Sequence, residues 1–378
     1  MHRLMPGVTI LEHELSELRL LVERQAGILL DCPNSALAAH VAEYLEHQEL
    51  ESSSALLERL RASDQDPSLL PAFLDGILNV TSGFFRHPGA MNALARLVIP
   101  QKIISRKPDD GPGTLRVWSA GCGTGEESYS IAMAVCDALG NGAGAGSSNG
   151  NGGKEAREKT VSRNGGVAES SVPPSTLAAA KDWSIHIVGS DLLPSAIEVA
   201  ERGLYPQSAL VGLPPATIRA FFSRIGTASG GQNVTPEASQ TQTTQNLATN
   251  GSAAASRNGL NGSNHGVHLL VKPRLRSLVT FNTMNLTKPV YIGRFDCIFC
   301  MDVLPHLSRA QRSALIERLH LYLEPGGYLF LSQTEKLYAP NLNFRPETYD
   351  GYTLHRKPLA AAAACGATCS RRRFPGGS

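Results

Sequence analysis

The sequence predicts a doubly wound α/β domain, in which helices cover both faces of a parallel sheet. From Leu115 onward, short apolar runs alternate with segments of helical spacing. A glycine-rich turn, GCGTG, follows the first of these runs, and an acid, Asp191, ends the second. Alternating strands and helices are typical of parallel sheets, and a glycine turn after the first strand is typical of a nucleotide-binding crevice.

Composition limits the class of protein. The chain has 378 residues, of which 42% are hydrophobic, so it can bury the core of one large domain or two modest ones. A formal net charge of +2 gives no argument for a nucleic-acid or membrane partner. Because no apolar run approaches about 18 residues, we expect no membrane insertion. The first residues lack the apolar stretch of a secretory signal, so we expect a cytoplasmic protein.

The seven cysteines are scattered, and several lie in apolar runs, as expected for reduced thiols in the cytoplasm. Cys297 and Cys300 form a C-x-x-C pair. However, DCIFC has the composition of a buried strand, and no second pair of Cys or His accompanies it. We therefore expect no metal site.

The chain divides into two folded parts, two low-complexity segments and a tail. Residues 1–100 carry apolar residues at helical spacing and predict a small helical domain, and residues 101–358 carry the alternating pattern. Within the second part, residues 140–176 and 226–266 are rich in Gly, Ser, Asn, Thr and Gln, so we expect disordered insertions. Residues 359–378 predict a disordered tail.

Each element of the second part follows from its own pattern. Strands are predicted at 115–120, 183–191, 278–286, 295–304 and 328–333, and helices at 126–139, 194–202 and 308–323. Ser308 is the expected N-cap of the last helix. The sequence EPGG before the last strand predicts a turn.

The glycine loop indicates which ligand the crevice holds. Its spacing is G-x-G-x-G, one residue shorter than the dinucleotide fingerprint, and Glu126 and Glu127 occupy the first helical turn after it. Two carboxylates there would repel a pyrophosphate but would suit a ligand with a cationic amino or sulfonium group. The alternative is that the glutamates only stabilise the N-terminus of the helix through its dipole.

Asp191 supplies the second indication. An acid at the end of the second strand is where ribose hydroxyls are held in this fold class. The alternative role, an N-cap for the following helix, is compatible with the first. Together with the loop and its glutamates, Asp191 points to S-adenosyl-L-methionine rather than NAD or ATP.

An ordered series of motifs resembles the CheR-type chemotaxis receptor methyltransferases. The segments that carry the resemblance are NVTSGFFRHP at 79–88, WSAGCGTGEESYS at 118–130, AERGLY at 200–205, VTFNTMNL at 279–286, FDCIFCMDVL at 295–304 and LEPGGYLFLSQTEKL at 323–337. The resemblance implies a Rossmann-like class I methyltransferase domain with a small all-helical N-terminal domain and an inserted β-subdomain. It also implies methyl transfer from S-adenosyl-L-methionine to glutamate side chains of chemoreceptor cytoplasmic helices. We expect the enzyme to be a monomer.

The resemblance implies site residues position by position. Asn79, Thr81 and Arg86 match the family residues that close over the cofactor, provided that Gly83 is an extra residue. Without that gap, Val80 and Ser82 would take the Asn and Thr places. The implied catalytic residues are Arg86 and His306, and the implied cofactor-binding residues are Asn79, Thr81, Arg86, Gly121, Gly123, Glu126, Glu127, Asp191, Asn285, Leu286, Asp302 and Val303.

This chain departs from the family pattern at the end of the fourth predicted strand and just after it. Met301 stands where the family has Arg, Asp302 where it has the cofactor-side Asn, and His306 where it has the Tyr near the transferred methyl group. A phenol and an imidazole can both donate a hydrogen bond, but an imidazole titrates near neutrality. We expect His306 to line the acceptor pocket; the alternative is an ordinary histidine at the start of a helix.

The N-terminal domain departs as well. Family members usually show an arginine-rich helix there, but the segment at 35–50 has no Arg or Lys and contains Glu43, Glu46 and Glu49. The attraction expected for acidic receptor helices is therefore missing. Two alternatives stay open at this point: methyl transfer to a different protein or small molecule, and a non-catalytic module that senses the cofactor.

Overall fold

The computed structural model describes residues 10–62, 66, 68–78, 81–105, 111–140, 183–225, 267–289, 292–337 and 339–359. The expected disorder at 140–176 and 226–266 and in the tail lies almost wholly outside these residues, and so does the predicted site residue Asn79. Among the described helices, none is long and apolar enough to cross a membrane.

The N-terminal part is a group of helices around its own apolar core. The helices are α1 (Glu12–Ala26), α2 (Asn34–His47), α3 (Ser53–Arg61) and α4 (Leu69–Ile77). Their buried residues recur at helical spacing, as the sequence predicts, and form one apolar cluster. Leu193 and Ala196 of the sheet-containing part join this cluster, so the two parts share a packed interface.

A second helical run follows and packs differently. It consists of α5 (Pro88–Ala93), a π-helical turn (Leu94–Val98) and α6 (Ile99–Ile104). Its buried residues belong to the hydrophobic core of the sheet rather than to that of α1–α4. The predicted domain boundary at residue 100 stays a proposal. Because α5 and α6 pack on the sheet, we propose that the boundary lies instead near Leu78.

The remaining elements follow the chain in alternation. The strands are β1 (Gly113–Ala120), β2 (Trp183–Asp191), β3 (Leu204–Pro206), β4 (Phe222–Ile225), β5 (His268–Val271), β6 (Val279–Thr283), β7 (Phe295–Phe299), β8 (Leu323–Phe330), β9 (Arg345–Tyr349) and β10 (Tyr352–Arg356). The helices are α7 (Glu126–Ala138), α8 (Pro194–Arg202), α9 (Pro215–Phe221), α10 (Pro273–Arg276) and α11 (Arg309–Tyr322). The predicted strand at 183–191 and helix at 194–202 are confirmed at both ends, and Ser308 caps α11 by accepting from the amide of Gln311.

The main sheet has the order β6-β2-β1-β7-β8-β10-β9 in the described residues. Strands β6, β2, β1, β7 and β8 are parallel, and β10 runs antiparallel to both of its neighbours. The chain moves outward from β1 to β6 and then returns to β7 on the other side of β1. This reversal of strand order opens a crevice at the carboxyl ends of β1 and β7, where ligands bind in such sheets.

The two faces of the sheet are covered by different helices, which confirms the doubly wound prediction. Val117, Cys297 and Phe299 pack in the cluster that contains α5, α6 and α7. Trp118, Ile298 and Cys300 pack with α11 in another cluster. Cys297 and Cys300 therefore face opposite sides of β7, as alternation along a strand requires, and no metal-ligand cluster occurs among the described residues.

Two features of the strands refine the sequence-based picture. The EPGG segment, predicted as a turn, lies inside β8, where Gly326 adopts φ +83° and the pairing with β7 shifts register. A separate antiparallel sheet of order β3-β5-β4 is inserted between α8 and β6, and residues 226–266 connect its β4–β5 hairpin. The ring of Phe84 packs edge-on against Tyr205 and Phe222 of this subdomain.

Candidate active site

A cavity of about 300 Å³ lies at the carboxyl ends of the central strands. Its floor consists of the segments that follow the parallel strands, and its roof comes from the N-terminal part and from the loop before α5. The floor residues are Gly121, Cys122, Gly123, Asp191, Leu192, Leu193, Met284, Asn285, Leu286, Thr287, Met301, Asp302 and Val303, and the roof residues include Ile28, Leu29, Thr81, Ser82, Gly83, Phe85, Arg86 and His87.

The glycine loop is bare because the backbone and its neighbours leave no room for side chains. Gly121 has φ +86°, and a Cβ at this position would lie 2.4 Å from Cγ2 of Val303. The amide of Gly121 donates to the carbonyl of Ser190 at 2.8 Å, which ties the loop to the end of β2. The loop therefore keeps a fixed, open surface toward the cavity.

Asp191 braces this loop with its side chain. Its Oδ2 accepts from the amide of Gly123 at 2.9 Å, and its Oδ1 accepts from the amide of Leu193 at 3.0 Å. Burial raises the pKa of the Asp191 carboxyl, although hydrogen bonds from the backbone amides of Leu193, Gly123 and Leu192 lower it. Leu193 holds the N-cap position of α8, so Asp191 stabilises the turn before the helix and still lines the cavity.

Glu127 is the glutamate of the pair that lines the cavity. Its Oε1 accepts from the hydroxyl of Ser119 on β1 at 2.7 Å. Burial raises the pKa of Glu127 to about 7; the carboxylates of Asp302 and Glu335 add to this, and the Ser119 hydrogen bond opposes it. A cationic ligand group would favour the ionised form of Glu127.

Glu126 is placed differently from its prediction as a cofactor-binding residue. Its side chain is buried, and its Oε2 accepts from the hydroxyl of Thr124 at 2.6 Å. It does not line the cavity. Because neighbouring helix residues point about 100° apart, only one member of a Glu-Glu pair can face the ligand.

Asp302 brings the side chains of Arg86 and His87 together at one end of the cavity. Its Oδ2 lies 3.2 Å from Nη2 of Arg86 and 3.1 Å from Nε2 of His87. Nη1 of Arg86 also donates to the carbonyl of Thr81 at 2.7 Å and lies 3.3 Å from its hydroxyl. Asp302 itself has φ +57°, a left-handed conformation that few residues other than glycine adopt. The predicted residues Thr81, Arg86 and Asp302 thus meet in one cluster.

Asn285 and Leu286 both line the cavity, as predicted. The polar atoms of Asn285, however, hold the end of α1: its Nδ2 donates to the carbonyl of Ala26 at 3.2 Å, and its Oδ1 accepts from the amide of Thr287 at 2.9 Å. The hydroxyl of Thr287 donates to the same Ala26 carbonyl at 2.8 Å. These contacts connect the cavity floor to the N-terminal helices.

His306 lies on the rim of the cavity with an exposed side chain. It ends a short 3-10 turn (Leu304–His306) before α11, so it is also the helix-entry histidine of the alternative interpretation. Its carbonyl accepts from the amide of Leu29 at 2.8 Å, and Ile28 pairs with Leu307. The rim is thereby joined to the N-terminal part.

Sequence reasoning missed several residues of the cavity. The sequence could have indicated His87, because it directly follows Arg86 in the same loop. It gave no signal for Ile28 and Leu29, because their place depends on how two separate parts of the chain pack together. Met284, Thr287 and Leu307 also line the cavity.

Comparison with known proteins decides the family. A protein-family model described as "CheR methyltransferase, SAM binding domain" matches residues 79–147 and 233–352. The chain belongs to the CheR methyltransferase family. Chemotaxis protein methyltransferase 1 of Pseudomonas aeruginosa is 26% identical over 322 residues, which covers 84% of this chain and 88% of that protein. The chemotaxis protein methyltransferases of Vibrio parahaemolyticus and Salmonella typhimurium are each 24% identical and cover 88% and 83% of this chain, and 92% and 81% of their own lengths.

The cavity of this CheR-family chain fits the cofactor of the family, S-adenosyl-L-methionine. The backbone at Gly121 lines the cavity without a side chain, and Glu127 and Asp191 provide carboxylates that suit a cationic, hydroxyl-bearing ligand. Apolar side chains such as Leu286 line the same cavity. The chain is an S-adenosyl-L-methionine-dependent methyltransferase of the chemotaxis type.

Proposed function

We propose that this methyltransferase forms methyl esters on glutamate side chains in the cytoplasmic helices of chemoreceptors. The main support for the proposal is that Arg86 and His306 both line the cofactor cavity. A cationic guanidinium and an imidazole suit a carboxylate acceptor. The names of the similar chemotaxis methyltransferases give the proposal further support.

Within this proposal each cavity residue has a role in binding. Asp191 accepts hydrogen bonds from the ribose hydroxyls, and Glu127 faces the amino group of the methionine end. Leu286 and Val303 supply apolar surface beside the adenosine. Thr81 belongs to the loop that would close over the cofactor; the family resemblance implies the same role for Asn79, which lies outside the described residues. When bound, S-adenosyl-L-methionine supplies a methyl group on a cationic sulfur.

The reaction requires little acid–base catalysis by the protein. A glutamate acceptor is already ionised near pH 7. Arg86 uses Nη1 and Nη2 for Thr81 and Asp302, and its remaining N–H groups can orient the acceptor carboxylate. The roof residues Ile28 and Leu29 exclude water, so the chain contributes mainly proximity, orientation and a dry site.

Docking of the acceptor does not use a basic surface on α2. Glu43 and Glu46 on this helix and Glu49 just after it are exposed. These carboxylates would repel an acidic receptor helix. We therefore propose that cytoplasmic receptor helices are selected at the rim around Arg86 and His306 rather than by charge on α2.

Labelling of chemoreceptors tests this function. Purified protein is incubated with tritiated S-adenosyl-L-methionine and membranes that contain the chemoreceptors of the source organism, and the labelled membranes are then treated with mild base. We expect tritium in the receptors and its release as volatile methanol. The Arg86→Ala variant serves as the control and should give little label. Receptors that stay unlabelled, with the cofactor bound, would contradict the proposal.

One observation favours a second candidate function. The contact between His87 and Asp302 has the form of a base oriented by a carboxylate. Such a pair suits an acceptor that must lose a proton, for example a hydroxyl. The acceptor oxygen would form a bond to the methyl carbon, the carbon–sulfur bond would break with its electron pair left on sulfur, and the proton would pass to Nδ1 of His87. Base-stable labelling that is lost in His87→Gln would favour this candidate.

A further inference from the structure

Glu335 lies behind Asp302 and binds backbone from two different loops. Its Oε2 accepts from the amides of Asp302 at 3.1 Å and Ser332 at 2.9 Å, and its Oε1 accepts from the amide of Leu304 at 2.9 Å. The loops concerned follow the neighbouring strands β7 and β8. One carboxylate thus ties together the ends of two parallel strands beside the cavity.

These hydrogen bonds fix an unfavourable backbone conformation. A left-handed φ at a residue other than glycine is unfavourable and persists where the surroundings enforce it. Asp302 has φ +57°, and its amide points to Glu335 while its carboxylate points to Arg86 and His87. Hydrogen bonds to an ionised carboxylate are strong enough to enforce this geometry.

We propose that Glu335 is a positioning residue for cofactor binding: it holds the turn at Asp302 so that the Asp302 carboxylate aligns Arg86 and His87 at the cavity. Glu335 does not line the cavity, so it acts through Asp302. Its negative charge also acts on the site, because it raises the pKa of Glu127 together with Asp302. The inference concerns cofactor binding alone. It is independent of which acceptor receives the methyl group.

A double-mutant cycle tests the inference without any acceptor. The affinity for S-adenosyl-L-homocysteine is measured by calorimetry for the unmodified protein, Glu335→Ala, Asp302→Ala and the double variant. We expect Glu335→Ala to weaken binding by on the order of tenfold and to add little to Asp302→Ala, because coupled residues are not additive. Hydrogen exchange at the amides of Asp302 and Leu304 in the unloaded protein should rise in Glu335→Ala.

Glu14 provides a matched control. Its carboxylate also accepts from a backbone amide, that of Leu11 at 2.9 Å, but at the start of α1 and away from the cavity. We expect Glu14→Ala to lower the melting temperature without changing the affinity. If Glu335→Ala does not fold, Glu335→Gln replaces it in the cycle, because the NH2 group of Gln cannot accept a hydrogen bond and the contacts of one carboxylate oxygen, to Asp302 and Ser332 or to Leu304, are then lost.

Two results would overturn the inference. One is an unchanged affinity in the folded Glu335 variant, and the other is a loss that adds fully to that of Asp302→Ala. Because no acceptor is present in this assay, either result would leave the proposal of glutamate methylation standing. A failure of receptor labelling would likewise leave the role of Glu335 untouched.

Discussion

Arg86 and Asp302 form an ion pair, with 3.2 Å between Nη2 and Oδ2, which joins the loop before α5 to the turn after β7. Their side chains are 46% and 32% exposed, so the Coulomb energy of the pair is modest. Its importance lies in its position. The pair brings the predicted catalytic arginine to the place where this chain departs from its family, and it adds a carboxylate near Glu127.

Asp302→Asn removes the negative charge of this ion pair while keeping nearly the same side-chain shape. We expect a loss of stability below about 1 kcal/mol, because the pair is partly exposed. Since the Asp302 charge raises the pKa of Glu127, the pH at which cofactor affinity reaches half its maximum should fall. Calorimetric titrations from pH 5.5 to 8.5 measure this midpoint. As a control, Asp296→Asn removes the Asp296–Lys102 ion pair at the start of β7 and should leave the midpoint unchanged. An equal shift in both variants would argue against a local effect.

Asp191→Ala should weaken the binding of S-adenosyl-L-methionine by about 1–3 kcal/mol. The variant removes a carboxylate that braces the glycine loop and that we propose to bind ribose. Asp75→Ala is the matched control, because Asp75 binds the amide and hydroxyl of Ser195 near the same strand end but outside the cavity. Unchanged affinity in Asp191→Ala would remove Asp191 from the ribose role.

Glu127 should make cofactor affinity depend on pH near neutrality. Its pKa is raised to about 7, and a cationic ligand binds the ionised form. We therefore expect affinity to increase from pH 6 to pH 8, with proton release on binding that calorimetry detects in buffers of different ionisation enthalpy. Glu127→Gln should bind more weakly and lose this dependence. A pH dependence that persists in Glu127→Gln would assign the titration to another group.

Glu127 should make the stability of the unliganded protein decrease as the pH rises, whereas cofactor affinity increases. Because the folded pKa of about 7 lies above the usual glutamate value of 4.5, the contribution of Glu127 to stability is fully present below about pH 4.5 and is lost as the pH rises through 7. Glu127→Gln should therefore raise the melting temperature of the unliganded protein more at pH 8 than at pH 5.5. A larger increase at pH 5.5 would contradict the buried, ligand-facing placement.

His306→Tyr should keep or raise transferase activity if the rim works as the family resemblance implies. The side chain is exposed and the contact to Leu29 uses only the backbone, so the substitution should not disturb the fold. Steady-state rates with receptor membranes measure the effect, and His306→Ala serves as the control that lacks a hydrogen-bond donor. A folded but inactive His306→Tyr would point to a different acceptor.

Gly121→Ala should abolish cofactor binding. A Cβ there would meet Val303 at 2.4 Å, and the backbone has φ +86°. Gly212→Ala is a control with similar backbone strain, since Gly212 has φ +96° and nothing within 4 Å of its Cβ. We expect the control to lose about 1 kcal/mol of stability and to retain its affinity. Normal affinity in Gly121→Ala would show that the loop can move away from Val303.

Much of the fold could be predicted from local patterns. The boundaries of β2 and α8 and the cap at Ser308 are set by apolar spacing and by residues close in sequence. The EPGG segment was predicted wrongly as a turn, because a glycine at positive φ can also form an irregularity inside a strand. Only the pairing with β7 decides between these two cases.

The site was harder to predict, because side-chain direction depends on partners distant in sequence. The sequence could not choose between Glu126 and Glu127; in the structure, Ser119 on β1 binds the second and Thr124 binds the first. The left-handed turn at Asp302 depends on Glu335, 33 residues later in the chain. Long-range hydrogen bonds of this kind leave no local pattern in the sequence.

Tandem mass spectrometry of the methylated acceptor tests the central claim most directly. Chemoreceptors are incubated with the protein and S-adenosyl-L-methionine, digested, and mapped for methyl groups, with Arg86→Ala as the control. The account predicts methyl esters on glutamate side chains of cytoplasmic helices, removed by mild base and absent with the control. Methyl groups that survive base and lie only on other residue types would contradict it.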